Sequence, residues 1–187
     1  MRQYGFWERF AFSVGTNGRT FEQIIQQTLP GIISVRKTNP DEDKTGIDYK
    51  AVLRRGAEIN IDLKLREKGC SKFWQSEEEI ALEKWSVVPE KGKAGKVGWT
   101  LDEAKQTHYT LHAFDRRDSE NVFLLPFQLL RKAFRTHMDE WYTEYESARQ
   151  NSGTWRSECL FVPISVVLEA IREASCHEIE RALFLQE

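Results

Sequence analysis

The sequence predicts a mixed α/β (α+β) fold, a sheet flanked by helices, in a single domain over residues 1–187. Strand-like and helix-like patterns follow one another in the order helix, several strands, helix, strand, helix. The clearest segment, 57–66, alternates apolar and polar residues at every step, as a strand with one buried face does. Two long segments, 127–150 and 164–184, repeat apolar residues every three or four positions and predict helices.

The remaining elements are predicted from shorter signals. In chain order they are a helix over 20–29, strands over 32–35, 46–53, 80–88, 107–114, 121–125 and 158–162, and a short helical turn over 101–105 capped by Thr100. Thr20 followed by Gln23 is a capping-box pattern that begins the first helix, and Pro30 with Gly31 ends it. Gly56, in the turn after the second strand, supplies the positive φ that tight turns require.

Composition excludes several classes of protein. Lys+Arg is 27 and Asp+Glu is 29, so the formal net charge of −2 provides no global basic field, and any nucleic-acid binding must depend on local patches. The chain has 6 Trp, 11 Phe and 5 Tyr, too many large aromatic residues for a disordered protein. Its 3 cysteines, Cys70, Cys159 and Cys176, form no close pair, which argues against a disulfide framework and for a reducing compartment.

We expect a cytoplasmic protein that does not engage a membrane. No apolar run reaches the ~18 residues that a membrane span needs. Glu8 and Arg9 interrupt the start of the chain, which therefore does not read as a secretory leader.

Two carboxylates and an ammonium group converge in the predicted hairpin of 46–53 and 57–66. A turn centred on Arg55 places Asp48 opposite Asp62, and Asp62 shares a strand face with Lys64. Carboxylates directly across a ladder repel each other, and a cation between them reverses that effect. Mg²⁺ commonly uses one or two carboxylates, several waters and a substrate phosphate. The sequence therefore predicts a Mg²⁺ site at Asp48 and Asp62, with the Leu63 carbonyl as another candidate ligand and Lys64 positioning a water.

The segment Gly46-Ile47-Asp48, followed after a hairpin by Asp62-Leu63-Lys64, resembles the motif of the PD-(D/E)XK, or restriction-endonuclease-like, nucleases. The resemblance implies a restriction-endonuclease-like mixed sheet, Mg²⁺ (or Mn²⁺ as a substitute) as cofactor, and hydrolysis of DNA phosphodiesters. It implies that the two acids bind metal and that the lysine assists hydrolysis. It also implies auxiliary catalytic roles for Glu22, on the preceding helix and a further metal ligand, and for Glu83, on the strand after the motif.

The match departs from the family pattern at two positions. Ile47 stands in place of the usual proline, and Asp62 stands where glutamate is more frequent, although the motif allows it. The chain also resembles small uncharacterised phage and bacterial proteins assigned to the superfamily. Many nucleases of this fold cut both strands as dimers, so the resemblance leaves a homodimer open.

The same residues have simpler interpretations. A strand in an antiparallel sheet carries a polar, solvated face by default, so Asp48, Asp62 and Lys64 also fit cross-strand ion pairs. Glu22 also fits a first-turn acid favoured by the helix dipole. Glu83 also fits an ion pair with Lys64 or Lys84. A zinc pair of His108 and His112 has no third ligand nearby in the sequence.

Several basic residues are candidates for contact with a nucleic-acid backbone. They are Lys91, Lys93 and Lys96 in the Gly/Lys loop over 89–98, Arg54 and Arg55 at the hairpin tip, and the helical triplet Arg131, Lys132 and Arg135. The loop lacks the Gly-Lys-Ser/Thr of a phosphate-binding P-loop, and a mobile solvated turn is the alternative interpretation.

The leading hypothesis is a Mg²⁺-dependent DNA nuclease, an endonuclease of phage or prokaryotic type. The alternative is a catalytically inert module of the same fold that binds nucleic acid or a protein partner, such as a phage-type inhibitor of host defence. Near-neutral net charge suits a protein partner better than DNA. A third interpretation is a structural α/β protein whose acidic strand face has no function.

Overall fold

A computed structural model describes residues 20–39, 42, 46–66, 78–115, 120–151 and 156–184 of the chain. The sequence predicts one domain, whereas the structure divides into two compact units. Met1–Ser71 and Gln106–Pro126 form the first unit, and Lys72–Lys105 with Phe127–Glu187 form the second. At the two boundaries within the described residues, 105/106 and 126/127, the sequence has no Gly/Pro-rich stretch, so composition does not reveal the division.

The predicted mixed fold class is confirmed. In chain order the described elements are α1 (Phe21–Thr28), β1 (Ile32–Lys37), β2 (Tyr49–Leu53), β3 (Glu58–Arg66), β4 (Glu79–Val87), β5 (Lys96–Val97), β6 (Tyr109–Asp115), β7 (Glu120–Pro126), α2 (Phe127–Glu144), β8 (Ser147–Asn151), β9 (Arg156–Pro163) and α3 (Ile164–Phe184). Among these residues, no helix combines the length and hydrophobicity that crossing a membrane requires.

The first unit is built on a five-stranded sheet in the order β1-β2-β3-β6-β7. All neighbouring strands are antiparallel except β3 and β6, which are parallel. The predicted capping box begins α1: Thr20 Oγ1 accepts from the Gln23 N–H at 3.4 Å, and Gln23 Oε1 accepts from the Thr20 N–H at 3.0 Å. Phe21 and Ile25 of α1 pack on one sheet face with a shared core of Tyr49, Ala51, Ile61, Leu111 and Ala113. That packing leaves the opposite face for the polar residues of the same strands.

The second unit holds an antiparallel sheet in the order β5-β4-β9-β8, with α2 and α3 packed against it and against each other. Ile80 and Leu82 of β4 face a core that includes Leu160 and Val162 of β9, all fully buried. This sheet explains two differences from the predicted elements.

The predicted helix over 127–150 is too long. It ends at Glu144, and Ser147–Asn151 pairs antiparallel with β9 instead. The apolar helical repeat stops at Tyr145, so nothing on the helix opposes this pairing. The predicted helical turn over 101–105 is displaced. The Leu101 and Asp102 N–H groups donate to the Gly98 carbonyl and the Lys105 N–H donates to the Asp102 carbonyl, so two successive hydrogen-bonded turns, and no helix, occupy 98–105.

Candidate functional site

Asp48 and Asp62 meet in the β2–β3 hairpin with the predicted register. Tyr49 lies opposite Ile61, and Gly56 takes φ 82° in the turn. The Asp48 N–H donates at 3.0 Å to the carbonyl of Ile61, the residue that lies opposite Tyr49, so the chain is still hydrogen-bonded to β3 at the residue before β2 begins. Because side chains alternate along a strand, Asp62 projects from the face of β3 opposite to that of the core residue Ile61.

Three polar groups are in direct contact at this position. Asp48 Oδ2 accepts from the Leu63 N–H at 2.6 Å, and the Asp48 and Asp62 carboxyl groups are hydrogen-bonded to each other. Lys64 Nζ lies 2.6 Å from Asp62 Oδ1. The Asp62 side chain is only 3% exposed and that of Lys64 is 27% exposed, so solvent reaches the cluster from the lysine side. A solvated polar face is therefore the wrong description of this strand at Asp62.

The electrostatics of the pair favour holding a proton. Burial, and then repulsion by Asp62, raise the pKa of Asp48 to about 7, while the Leu63 N–H and the Lys64 ammonium oppose the rise. Below about pH 7 Asp48 therefore keeps its proton in the folded protein, because burial and the neighbouring Asp62 both disfavour its charged form. A cation placed between them removes the need for that proton.

Thr110 and His112 were not predicted as part of this cluster. In the parallel pair of β3 and β6, Thr110 lies beside Asp62 and His112 lies beside Lys64. Both are buried, and His112 Nε2 is 3.1 Å from Thr110 Oγ1. Alternation along 107–114 places these two residues on one face, but it does not reveal which strand lies beside them. His108, the other residue of the zinc pair considered from the sequence, has a different contact: its Nδ1 accepts from the Asn60 N–H at 2.9 Å.

Glu22 lies on α1, which covers the other, apolar face of the sheet. Burial, Glu22 and Asp48 together raise the pKa of Tyr49, which places Glu22 within electrostatic reach of that phenol. Over the described residues, no three His, Cys, Asp or Glu side chains form a group that could hold a metal ion. The structure therefore does not gather Glu22 with Asp48 and Asp62 into a three-carboxylate centre.

Glu83 lies on β4 in the second unit, where its contacts are structural. Its Oε2 accepts from the Trp99 N–H at 2.9 Å and from the Ser86 hydroxyl at 2.7 Å. Its own N–H donates to Thr100 Oγ1 at 2.9 Å, so Thr100 does not serve as a helix cap. Neither lysine weighed as its partner takes part in these bonds.

The predicted nucleic-acid-binding residues fall in two places. Arg54 and Arg55 form the β2–β3 turn of the first unit, and Lys91, Lys93 and Lys96 belong to the β4–β5 hairpin of the second. All five are exposed. The helical triplet is engaged instead: Arg131 donates to the Asp102 carbonyl, Lys132 to the Ala174 carbonyl, and Arg135 to Glu103.

Comparisons with protein-family models, with curated proteins and with solved structures find no match for this chain.

Proposed function

We propose that this protein is a metal-dependent nuclease that hydrolyses phosphodiester bonds in DNA at Asp48, Asp62 and Lys64. The observation that supports the proposal is the contact of two carboxyl groups with each other and with an ammonium group 2.6 Å away, in a largely buried cluster. The two acids are the oxygen donors expected for a divalent ion that also binds a substrate phosphate, and the lysine adds a positive charge beside them.

A pair of carboxylates suits Mg²⁺ better than it suits a metal whose ligands all come from the protein. Mg²⁺ keeps several waters and usually takes one or two protein carboxylates, so two are enough. Asp48 and Asp62 would hold the ion, the Leu63 carbonyl is a further candidate ligand, and Mn²⁺ accepts the same oxygen donors. When bound, the ion polarises a phosphate oxygen and lowers the pKa of a coordinated water. Glu22 and Glu83 are not needed for this arrangement.

Lys64 supplies the remaining positive charge. The ion pair with Asp62 holds the Lys64 ammonium group in place, and the Lys64 side chain is exposed enough for a phosphate to approach it. There it orients the attacking water and stabilises the negative charge that develops on the phosphoryl oxygens. Loss of one such preorganised group typically lowers kcat by about 10²–10³-fold.

The test is cleavage of plasmid DNA in Mg²⁺ by Asp62→Asn and Lys64→Ala variants. Both are expected to lose at least ~100-fold in rate. The Lys64→Arg variant keeps the positive charge beside Asp62, so a low rate in this variant reports lost chemistry and not a lost fold. Asp139→Asn is the matched control, since Asp139 is an exposed aspartate on α2. Cleavage at the wild-type rate by both loss variants rejects the proposal.

An inert module of the same fold is the second candidate. The raised pKa of Asp48 favours it, because a carboxyl group that keeps its proton near neutral pH is stable without metal. Thermal melting separates the two functions: a metal present at ~100 times its Kd stabilises the fold by about 2.7 kcal/mol. A melting temperature unchanged across millimolar Mg²⁺ and Mn²⁺ supports the inert module.

A further inference from the structure

Most basic side chains in the described part of the chain have a partner. The ion pairs join Glu42 to Arg36 and Lys50, Asp62 to Lys64, Glu178 to Lys132, Glu103 to Arg135, Glu158 to Arg149, Glu90 to Arg156 and Glu169 to Arg172. Lys84 lies over the Tyr142 ring, Arg131 binds a carbonyl, and Lys37 and Lys105 are also engaged.

Lys91, Lys93 and Lys96 are exceptions to this pairing. With Arg54 and Arg55, they are the basic residues with described side chains for which no partner is found. Three like charges within six residues repel one another. The acid of the same hairpin, Glu90, bridges the backbone of Lys93 and pairs with Arg156, so the hairpin keeps an excess of positive charge. An unpaired cluster of this kind attracts a partner that carries several negative charges.

The hairpin that carries these lysines is held by backbone contacts. Glu90 and Lys93 exchange two backbone hydrogen bonds, of 3.3 Å and 2.9 Å, around Gly92, which takes φ 79°. A Cβ at Gly95 would lie 2.8 Å from Pro89 Cδ and 3.0 Å from the Val87 carbonyl oxygen. The loop therefore lies closely against the end of β4, and it presents its lysines from a hydrogen-bonded turn.

The chemistry of the tip favours phosphates over other anionic partners. Residues 90–96 read EKGKAGK, with no aromatic or large apolar residue, although the next residue of β5, Val97, is a large apolar side chain that is 41% exposed. Protein interfaces usually depend on buried Trp, Tyr or Arg, and membrane-bound segments insert apolar side chains. Lysine ammonium groups are point charges that contact phosphate oxygens without reading bases. A nucleic-acid backbone is the partner that needs only such contacts.

We propose that the β4–β5 hairpin is a sequence-independent DNA-binding element that contacts backbone phosphates through Lys91, Lys93 and Lys96. It goes beyond the proposed hydrolysis, since it belongs to the second unit and requires no divalent metal. Each lysine that contacts a phosphate adds about 0.9 to the slope of log K against log salt.

The test is fluorescence anisotropy of a labelled DNA duplex at several salt concentrations, with EDTA present. Substituting Lys91, Lys93 and Lys96 together with Gln is expected to reduce the salt slope by about 2–3. Binding should weaken equally for duplexes of unrelated sequence. Substituting all three with Arg keeps the charges and should keep the slope.

The matched control is the triple substitution of Lys132, Arg135 and Arg172 with Gln, which removes the same charge from paired positions of the same unit. It should leave the slope unchanged. An unchanged slope in the hairpin variant, an equal loss in the control, or no duplex binding by the wild type overturns the proposal. The proposal is also overturned if the hairpin variant loses binding to anionic vesicles but keeps its binding to the duplex. Because EDTA prevents hydrolysis, the binding measurement does not depend on nuclease activity. Failure of the nuclease proposal therefore leaves the hairpin proposal intact, and failure of the hairpin proposal leaves the nuclease proposal intact.

Discussion

Replacing Asp48 with asparagine is expected to stabilise the metal-free protein at and above neutral pH. The side chain is buried against Asp62, and its pKa of about 7 means that ionisation is costly in the folded state. Asparagine reproduces the protonated acid: its carbonyl oxygen can accept from the Leu63 N–H, and its amide can donate to Asp62. The substitution therefore removes the ionisation and keeps the hydrogen bonds.

The sign of the effect follows from proton binding. Between pH 3.8, the ordinary pKa of the side chain, and about 7, the unfolded chain has lost the proton that the folded chain keeps. The free energy of unfolding of the wild type therefore falls as pH rises through this window and levels off above it. Moving the pKa from 3.8 to about 7 corresponds to at most about 4 kcal/mol.

The assay is thermal melting by circular dichroism in EDTA, from pH 4 to pH 8.5, for wild type, Asp48→Asn and the Asp139→Asn control. A chain of this size gains about 2–4 °C per kcal/mol, so the Asp48 variant should melt about 5–15 °C above wild type at pH 8. The difference should shrink towards pH 4, and the control should show no such trend. A variant no more stable than wild type at pH 8, or a difference independent of pH, refutes the reasoning.

Three further predictions follow from particular contacts. Because the ion must displace the proton on Asp48, Mg²⁺ affinity should rise about tenfold per pH unit up to about pH 7 and then level off. A Kd that calorimetry finds constant from pH 5.5 to 8 contradicts this. Gly98→Ala should lower the melting temperature, since its Cβ would clash with the Glu83 carbonyl oxygen. Thr20→Ala should cost about 0.5–2 kcal/mol by urea denaturation because the capping box is lost, while Thr20→Ser should not.

The part of the site that could be predicted from sequence is the part made by neighbouring residues. Strict alternation over 57–66 and a glycine turn determine the hairpin, and the hairpin alone brings Asp48 opposite Asp62. The capping box at Thr20 and the bounds of α3 were predicted for the same reason, since their signals lie within one element. These features depend on backbone sterics and side-chain periodicity, which a short stretch of sequence carries in full.

Strand partners distant in the sequence were decided by the tertiary structure. The parallel pairing of β3 with β6 brings Thr110 and His112 beside the acids, and periodicity does not specify which strands pair. Ser147–Asn151 becomes a strand because β9 offers it a ladder, although helical spacing precedes it. The auxiliary roles of Glu22 and Glu83 were predicted by resemblance and stay predictions, whereas the bonds of Glu83 to Trp99 and Ser86 became visible only in the structure. Which buried faces meet is a property of the whole chain, and this decided the surroundings of the candidate site and the division into two units.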